Sequence, residues 1–246
     1  MPSHFSPAAM TFLRGLARHN DRNWFNARKK IYETELKAPM LALLDEITHS
    51  MAAYAPEHMR PAHKSMMRIY RDIRFSPDKR PYKTHVSAWW SRRGMEKTSG
   101  GGFYLHIGPK DCFLAAGVYM PERDQLLALR RWMAANHRSY SAQLTKLLKP
   151  RGARAPAMLP IDPEALSRMP KGFPSDHPAD ELLRARNWGV RCALPPALAL
   201  SPTLARDVIA RFRLMAPLVD TLNHAILSAE KPSSEPLRRV RANAFL

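Results

Sequence analysis

The sequence predicts an α+β fold in which a central antiparallel sheet is flanked by N-terminal and C-terminal helices. Three observations support this prediction. Apolar residues recur at helical spacing over the first sixty residues and again over the long segment that follows Ser201. In the middle of the chain, the segments FYLHIG and CFLAAGVYM are separated by the short turn PKD, a pattern typical of a β-hairpin.

Three helices are predicted at the N-terminal end. Ser6 and Pro7 form an N-cap followed by a proline in the first turn, and that helix ends near HNDRN. Asn23 is the expected cap of a second helix, and a third begins at Pro39. The first sixty residues are therefore predicted to be mostly helical.

Strands are predicted after Pro61. Residues 68–75 alternate in polarity, THVSAWWS is rich in strand-forming residues, and the hairpin follows. Pro121 is expected to begin a helix with Leu126, Leu129 and Trp132 on its apolar side, and a further helix is expected through Leu147.

The C-terminal third begins with a proline-rich stretch over residues 150–178, which we interpret as a long ordered loop. The segment NWGVRCAL predicts an edge strand. A long terminal helix follows, with Ser201 as its cap and Pro202 at its first position. We predict a single domain over residues 1–229 and a frayed, polar and basic tail over residues 230–246.

The charge of the chain points to anionic partners. Its 246 residues contain 39 Lys and Arg against 21 Asp and Glu, a net charge of +18, which favours nucleic acid among other polyanions. Arginine is spread along the whole chain, so the net charge does not locate a site. The chain has no apolar run of ~18 residues, no signal-peptide pattern and only two cysteines. We therefore expect a cytoplasmic protein with no membrane association.

The stretch RIYRDIRFSPDKRPYK, residues 68–83, concentrates the basic residues. Placed on a strand, one face carries Arg68, Tyr70, Asp72 and Arg74, and the other carries Ile69, Ile73 and Phe75. Arg71 then falls on the apolar face, where an arginine must be paired or must line a cavity. The segment SPDK predicts a type I turn with Asp78 as a cap.

The region around this stretch has more cations than carboxylates. Between Arg60 and Glu96, ten basic residues outnumber three acidic ones by seven. Because the arginine fork suits phosphate and carboxylate groups, the excess predicts a basic pocket for a small phosphorylated or carboxylated ligand. The expected ligand-binding residues are Arg68, Arg71, Arg74, Asp78, Lys79, Tyr82, Lys83 and Lys171.

Three residues are candidates for catalysis, although the sequence itself indicates no reaction. Asp72 would orient an arginine or serve as a base, and Tyr82 would donate a hydrogen bond. His177, together with Lys171, lies in the proline-flanked loop PKGFPSDHP, which suits a lid or an acid/base group.

Two further hypotheses remain open for the basic stretch. One is a nucleic-acid binding module that uses a wider basic surface. The other is a structural ion-pair network, with arginines and aspartates holding the chain in register and no ligand.

Metal, cofactor and nucleophile sites are not expected. His85, Tyr104 and His106 are predicted to lie on neighbouring strands, with Asp72 or Asp78 near them, but no ligand spacing typical of a metal site is present. Neither cysteine has an activating neighbour in sequence. Trp89 and Trp90 point to opposite faces of one strand, so at most one of them faces a ligand.

The motif RxxRDxRFSxDKxPYK resembles the signature of the bacterial family named Domain of Unknown Function 2461. NDRNWF, GGFYLHI with LAAGVYMP, and PKGFPSDHP agree with it, and the resemblance covers residues 5–228. The motif positions matched without departure are Arg68, Arg71, Asp72, Arg74, Phe75, Asp78, Lys79 and Tyr82. The resemblance implies a single soluble domain, and it supplies no activity or substrate.

Overall fold

Helices precede and follow an antiparallel sheet in the computed structural model, which describes residues 3–95, 100–149 and 157–230. The predicted α+β class is confirmed. The tail predicted over residues 230–246 lies outside the described residues, apart from the backbone of Glu230 at the end of the last helix.

The described elements follow one another in a simple order. The helices are α1 (Pro7–Arg18), α2 (Arg22–Ala27), α3 (Lys29–Ile31), α4 (Ala38–Met51), α5 (Ala62–Ser65), α6 (Arg123–Leu148), α7 (Asp180–Arg184) and α8 (Leu204–Glu230). A π-helical segment, Tyr32–Lys37, joins α3 to α4, and 3-10 helices occupy Pro56–His58 and Pro196–Leu200. The strands are β1 (Val86–Ser91), β2 (Gly101–Ile107), β3 (Cys112–Val118), β4 (Met158–Pro160) and β5 (Trp188–Leu194).

The sheet has the strand order β1-β2-β3-β5-β4, and all of its pairings are antiparallel. β2 and β3 form the predicted hairpin. The prediction that NWGVRCAL forms an edge strand is wrong, because β5 lies between β3 and β4. The edge position belongs to β4, which comes from the segment predicted to be a loop. This strand has only three residues and ends at Pro160, and proline is tolerated at a sheet edge.

Several predicted helix boundaries differ from the structure. Asp21, and not Asn23, caps α2, since its side chain accepts a hydrogen bond of 2.8 Å from the backbone N–H of Trp24. The two helices predicted after Pro121 are the single helix α6, because no glycine or proline interrupts residues 123–149. The last helix begins at Leu204, two residues after Pro202.

The core lies between one face of the sheet and α8, with α4 and α6 packed beside that helix. Phe212 of α8 is fully buried, and its ring centroid lies 5.6 Å from that of Trp90 and 5.1 Å from that of Phe103. The indole N–H of Trp90 donates to the Thr48 hydroxyl of α4 at 2.9 Å. No helix among the described residues has the length and apolar character needed to cross a bilayer.

The opposite face of the sheet carries the alternate residues of the same strands. Trp89, Tyr104 and Phe113 lie on this face and are only partly buried. The registers Trp89↔Tyr104 and Tyr104↔Ala115 place these side chains in adjacent rows. The candidate site lies on this face.

We expect Phe212→Ala to lower the free energy of unfolding by about 3–5 kcal/mol, because it leaves a cavity between α8 and the sheet. Urea denaturation measures the change. Leu159→Ala is the control, since Leu159 is 57% exposed and its truncation should change stability by less than about 0.5 kcal/mol. Equal effects of the two substitutions would contradict the packing described here.

Candidate functional site

The basic stretch forms a loop, and the prediction that residues 68–75 form a strand is wrong. Its two arms pair briefly with each other. The N–H of Arg71 donates to Pro81 at 2.9 Å, the N–H of Lys83 donates to Ile69 at 2.8 Å, and an isolated bridge joins Tyr70 to Tyr82. The alternating pattern therefore reflects a two-residue contact at the base of a loop, with residues 72–80 extending beyond it.

The apolar residues of the loop do not share one face. Ile69 is buried as expected, whereas Phe75 is 93% exposed. The Arg74 guanidinium lies 5.7 Å from the centroid of the Phe75 ring. The expectation that Phe75 shares the apolar face with Ile69 is wrong, because Phe75 lies beyond the paired base of the loop.

Carboxylates neutralise the arginines in the middle of the loop. Asp78 pairs with Arg71 at 2.6 Å and with Arg80 at 2.7 Å, and Asp72 pairs with Arg74 at 2.7 Å. Hydrogen bonds from Arg74 lower the pKa of Asp72 to about 2, and those from Arg80, followed by Arg71, hold the pKa of Asp78 well below its usual value. The prediction that Arg71 needs a partner is confirmed.

The remaining central residues of the motif also contact the protein itself. Tyr82 is buried and stacks on Phe25 with ring centroids 4.2 Å apart. The side-chain amide of Asn20 makes two hydrogen bonds with the backbone of Tyr82, at 2.9 and 3.0 Å. Lys79 donates to the carbonyl of Ile73 at 3.0 Å. Tyr82 thus anchors the loop to the core.

The two ends of the motif have a different environment. Arg68 is exposed and Lys83 is partly buried, and neither forms an ion pair with a carboxylate of the described residues. Burial lowers the pKa of Lys83, and the nearby positive charge of Arg68 lowers it further. Arg68 and Lys83, at the two ends of the motif, thus form no carboxylate ion pair among the described residues, and the same holds for Lys79 in the middle. The charge of Arg68 still contributes to the lowered pKa of Asp72.

A histidine cluster adjoins Lys83. The rings of His85 and His106 lie 3.9 Å apart, and the Tyr104 hydroxyl lies 3.4 Å from Nδ1 of His106. Burial, then His106 and Lys83, lower the pKa of His85 to about 4. Burial also lowers the pKa of His106, against the opposing effect of Asp111. Both rings are therefore neutral at pH 7.

The carboxylate of this cluster is Asp111, from the turn between β2 and β3, and not Asp72 or Asp78. Its Oδ2 lies 3.2 Å from Nε2 of His106, an ion-pair distance, but off the line of the ring N–H, so that Nε2 makes no well-aligned hydrogen bond among the described residues. Within the same residues, no three histidine, cysteine or carboxylate side chains are placed to share a metal ion.

A cavity of about 510 Å³ opens on the sheet face beside this cluster. Its side chains include Met67, Trp89, Tyr104, Phe113, Tyr119, Asp162, Glu164 and Arg191. The cavity adjoins the cluster through Phe113, whose ring stacks on His106 at 4.6 Å. Its volume and aromatic lining are typical of small-molecule sites.

The cavity is electrically asymmetric. Ile161 donates its N–H to Gly189, which places Asp162 and Glu164 near the row Gly102↔Gly117↔Gly189 of the sheet. His106 lies four residues further along β2, a separation of about 13 Å. Met67, which precedes Arg68, pairs with Ser87 in the row of His106, so the histidine cluster and the start of the motif lie toward one end of the cavity. The guanidinium of the lining residue Arg191 lies over Phe113, and the two carboxylates border the other end.

The loop with the remaining predicted residues lies elsewhere. Nδ1 of His177 accepts a hydrogen bond of 3.0 Å from the N–H of Ala179, and its ring contacts His137 of α6 with centroids 6.0 Å apart. Lys171 is exposed. None of the contacts of these two residues connects them to the motif or to the cavity.

A second cavity, of about 480 Å³, lies between the end of α4 and α8. Charged residues of both signs line it: Glu57, His58, Arg92, Arg213 and Asp220. His58 is held by Trp90 and Asn223, and burial, opposed by its hydrogen bond to the Trp90 carbonyl, lowers its pKa to about 4. Tyr54 and Phe103 also line this cavity, which therefore has fewer aromatic side chains than the sheet-face cavity.

The sequence correctly predicted that His85, Tyr104 and His106 lie together, but it did not predict which other residues surround them. Asp111 and Phe113 lie in the predicted hairpin. The position of the turn fixes the hairpin register, and the register fixes which residues lie opposite each other on the two strands. Arg191, which lies 5.1 Å over the Phe113 ring, depended on β5 being an inner strand. Asp162 and Glu164 lie on a loop, for which no periodic signal exists.

The fold and site define a class: an α+β protein whose five-stranded antiparallel sheet is buried on one face and bears a ligand-sized cavity on the other. The chain belongs to the family described as "Conserved hypothetical protein (DUF2461)", whose model matches residues 8–220. The family resemblance of the sequence is thereby confirmed. None of the curated proteins matches the chain.

We expect Asp78→Asn to raise the rate of chymotrypsin cleavage after Phe75 by about two- to fivefold, because it releases Arg71 and Arg80 from the carboxylate that ties the loop. Peptide mass spectrometry measures the rate. Asp72→Asn is the matched control, since the one ion pair of Asp72 among the described residues is with its close neighbour Arg74. This variant should leave the rate unchanged. An equal rise in both variants would show that Asp78 has no special role in holding the loop.

Proposed function

We propose that the protein binds a small molecule with a phosphate or carboxylate group and an apolar body in the sheet-face cavity. One set of observations carries the proposal: Arg68 and Lys83 form no ion pair with a carboxylate of the described residues, and both are close neighbours of residues at the cavity. Arg68 follows the lining residue Met67, and Lys83 acts on His106, whose ring stacks on the lining residue Phe113.

An anion would stabilise this end of the cavity. A partly buried ammonium group loses hydration, and the lowered pKa of Lys83 reflects that loss. A phosphate or carboxylate between Arg68 and Lys83 would restore charge-assisted hydrogen bonds to both. The neutral rings of His85 and His106 would add N–H donors without adding charge.

The rest of the cavity selects the body of the ligand. Trp89, Tyr104 and Phe113 favour an apolar or aromatic group. Asp162 and Glu164 at the far end disfavour a second anionic group there. The preferred ligand is therefore a monoanionic or phosphorylated compound with its charge at one end.

In this proposal, the residues in the middle of the motif support the loop. The ion pairs of Arg71, Arg74 and Asp78 favour a structural role, as does the buried ring of Tyr82. We also propose a cytoplasmic location, since no disulfide joins the two cysteines in the described residues.

We expect phenyl phosphate to raise the melting temperature above a sodium chloride control of equal ionic strength. Lys83→Met and Arg68→Met should each weaken its binding by at least about tenfold, because each removes one charge-assisted hydrogen bond. Isothermal titration calorimetry measures the dissociation constants. Benzoate should bind more tightly than terephthalate, whose second carboxylate would approach Asp162 and Glu164.

Lys79→Met is the matched control, because Lys79 belongs to the same motif and donates only to a loop carbonyl. It should leave phenyl phosphate binding unchanged. Loss of binding in Lys79→Met and not in Lys83→Met would place the anion in the loop and overturn the proposal. If phenyl phosphate raised the melting temperature no more than sodium chloride does, the proposal that the cavity binds a phosphorylated ligand would be contradicted.

A nucleic-acid binding function is a second candidate, favoured by the exposed Phe75. This ring stands beside Arg74 at the tip of the loop, and Lys79 and Arg80 are also exposed. An exposed aromatic among cations is the combination on which single-stranded bases stack. The net charge of +18 supports the same candidate.

We expect Phe75→Ala to weaken binding of a fluorescein-labelled single-stranded oligonucleotide by about tenfold if this second function is correct, since base stacking is worth ~1–3 kcal/mol. Fluorescence anisotropy at several salt concentrations measures the affinity, which should fall steeply with salt. Lys83→Met should leave it nearly unchanged. A salt-independent affinity, or none, would exclude this candidate.

A further inference from the structure

Tyr104 lies where the sheet-face cavity meets the histidine cluster. Its ring lines the cavity, and its hydroxyl lies 3.4 Å from Nδ1 of His106. Burial raises the pKa of this hydroxyl, against the opposing effect of a hydrogen bond with the buried Ser87. Ser87 and His106 are cross-strand partners, so the backbone register holds all three groups on one face. The anion site proposed above does not use the hydroxyl group of Tyr104.

Behind Tyr104, the side chains are ordered as a relay. Nδ1 of His106 lies toward the phenol, and Nε2 lies toward Oδ2 of Asp111 at 3.2 Å. A carboxylate on the Nε2 side favours the tautomer with its proton on Nε2, which leaves the lone pair of Nδ1 to accept the phenolic proton. His106 itself is only 7% exposed, so water does not compete for these positions.

We propose that Tyr104 is a general base of the cavity, with His106 and Asp111 as positioning residues that receive and stabilise its phenolic proton. A hydroxyl or activated C–H group of the bound ligand gives its proton to the Tyr104 oxygen and keeps the electron pair. The phenolic proton passes at the same time to Nδ1 of His106, and the resulting imidazolium lies beside the Asp111 carboxylate. This inference rests on the proposed ligand site and adds proton abstraction to it.

The anion site and the relay are coupled through Lys83. Burial and the charge of Lys83 disfavour protonated His106, whereas Asp111 favours it; the neutral His85 ring is the other titratable group in contact. A ligand anion beside Lys83 offsets the repulsion and makes His106 a better proton acceptor.

Benzenesulfonyl fluoride tests the relay in the full chain without any knowledge of the ligand. Attack by the Tyr104 oxygen forms an O–S bond and breaks the S–F bond; fluoride leaves, and His106 takes the phenolic proton. Tyr119 is the internal reference, because it lines the same cavity, is 47% exposed and has no histidine contact among the described residues. We expect Tyr104 to be labelled at least tenfold faster than Tyr119, as measured by peptide mass spectrometry.

His106→Asn should reduce the labelling rate of Tyr104 at least tenfold and leave that of Tyr119 unchanged. The pH profile separates a base from a structural role. In the wild type, the rate should be nearly level between pH 7 and 9, because neutral His106 takes the proton. In the variant it should rise about tenfold per pH unit, as for attack by free phenolate.

Asp111→Asn gives a second variant that keeps the fold, since Asp111 is on an exposed turn. It should slow the labelling of Tyr104 several-fold, whereas Lys110→Gln, at an exposed position of the same turn, should not. Labelling of Tyr104 that is no faster than that of Tyr119, or is unchanged by His106→Asn, would overturn the inference. Because these measurements use the unliganded protein, they stand apart from the phenyl phosphate experiment, whose failure would overturn the anion site alone.

Discussion

The packing of α8 across one face of the sheet is the constraint on which the rest of the structure depends. The alternate residues of β1, β2 and β3 that meet this helix, with Trp90 and Phe103 against Phe212, are fully buried. Because side chains alternate along a strand, the same burial directs Trp89, Tyr104 and Phe113 to the other face. The aromatic cavity is therefore a direct consequence of the core.

The charge of the motif divides into two parts with different physical roles. In the middle of the loop, Asp72 and Asp78 each lie within hydrogen-bond distance of their arginines, so that these charges are satisfied inside the protein. At the base, the short pairing of the two arms brings Arg68 and Lys83 together at the edge of the sheet. The excess of basic over acidic residues in the motif thus includes a local excess of positive charge at the base of the loop, near the cavity.

The histidine cluster shows how the fold sets protonation. His85 and His106 touch each other, Lys83 lies nearby, and burial removes water, so each of these effects favours neutral rings. Asp111 opposes them from the hairpin turn. The balance leaves a neutral imidazole between the Asp111 carboxylate and the Tyr104 phenol, which is the starting arrangement for the proposed proton transfer.

The sequence could predict those parts of the protein that depend on local pattern. The hairpin, the start of α1 at Pro7 and the grouping of His85 with His106 follow from alternation, the Ser6–Pro7 pair and strand neighbours. The sequence predicted the wrong environment for the Phe75 side chain, because an alternating pattern does not show over how many residues the two arms of a loop stay paired. It missed Asp162 and Glu164, because loop residues reach a site through the path of the chain and not through periodicity.

By itself, the sequence determined the α+β class, the excess of cations and the need of Arg71 for a partner, since composition, short-range periodicity and the cost of burying a charge act on the chain wherever it folds. Only the tertiary structure decided which arginines pair with carboxylates, and that Tyr104 lines a cavity next to the histidine cluster beside Lys83. Whether two charges neutralise each other depends on a few ångströms of separation, and for residues far apart in the chain that separation is set by packing.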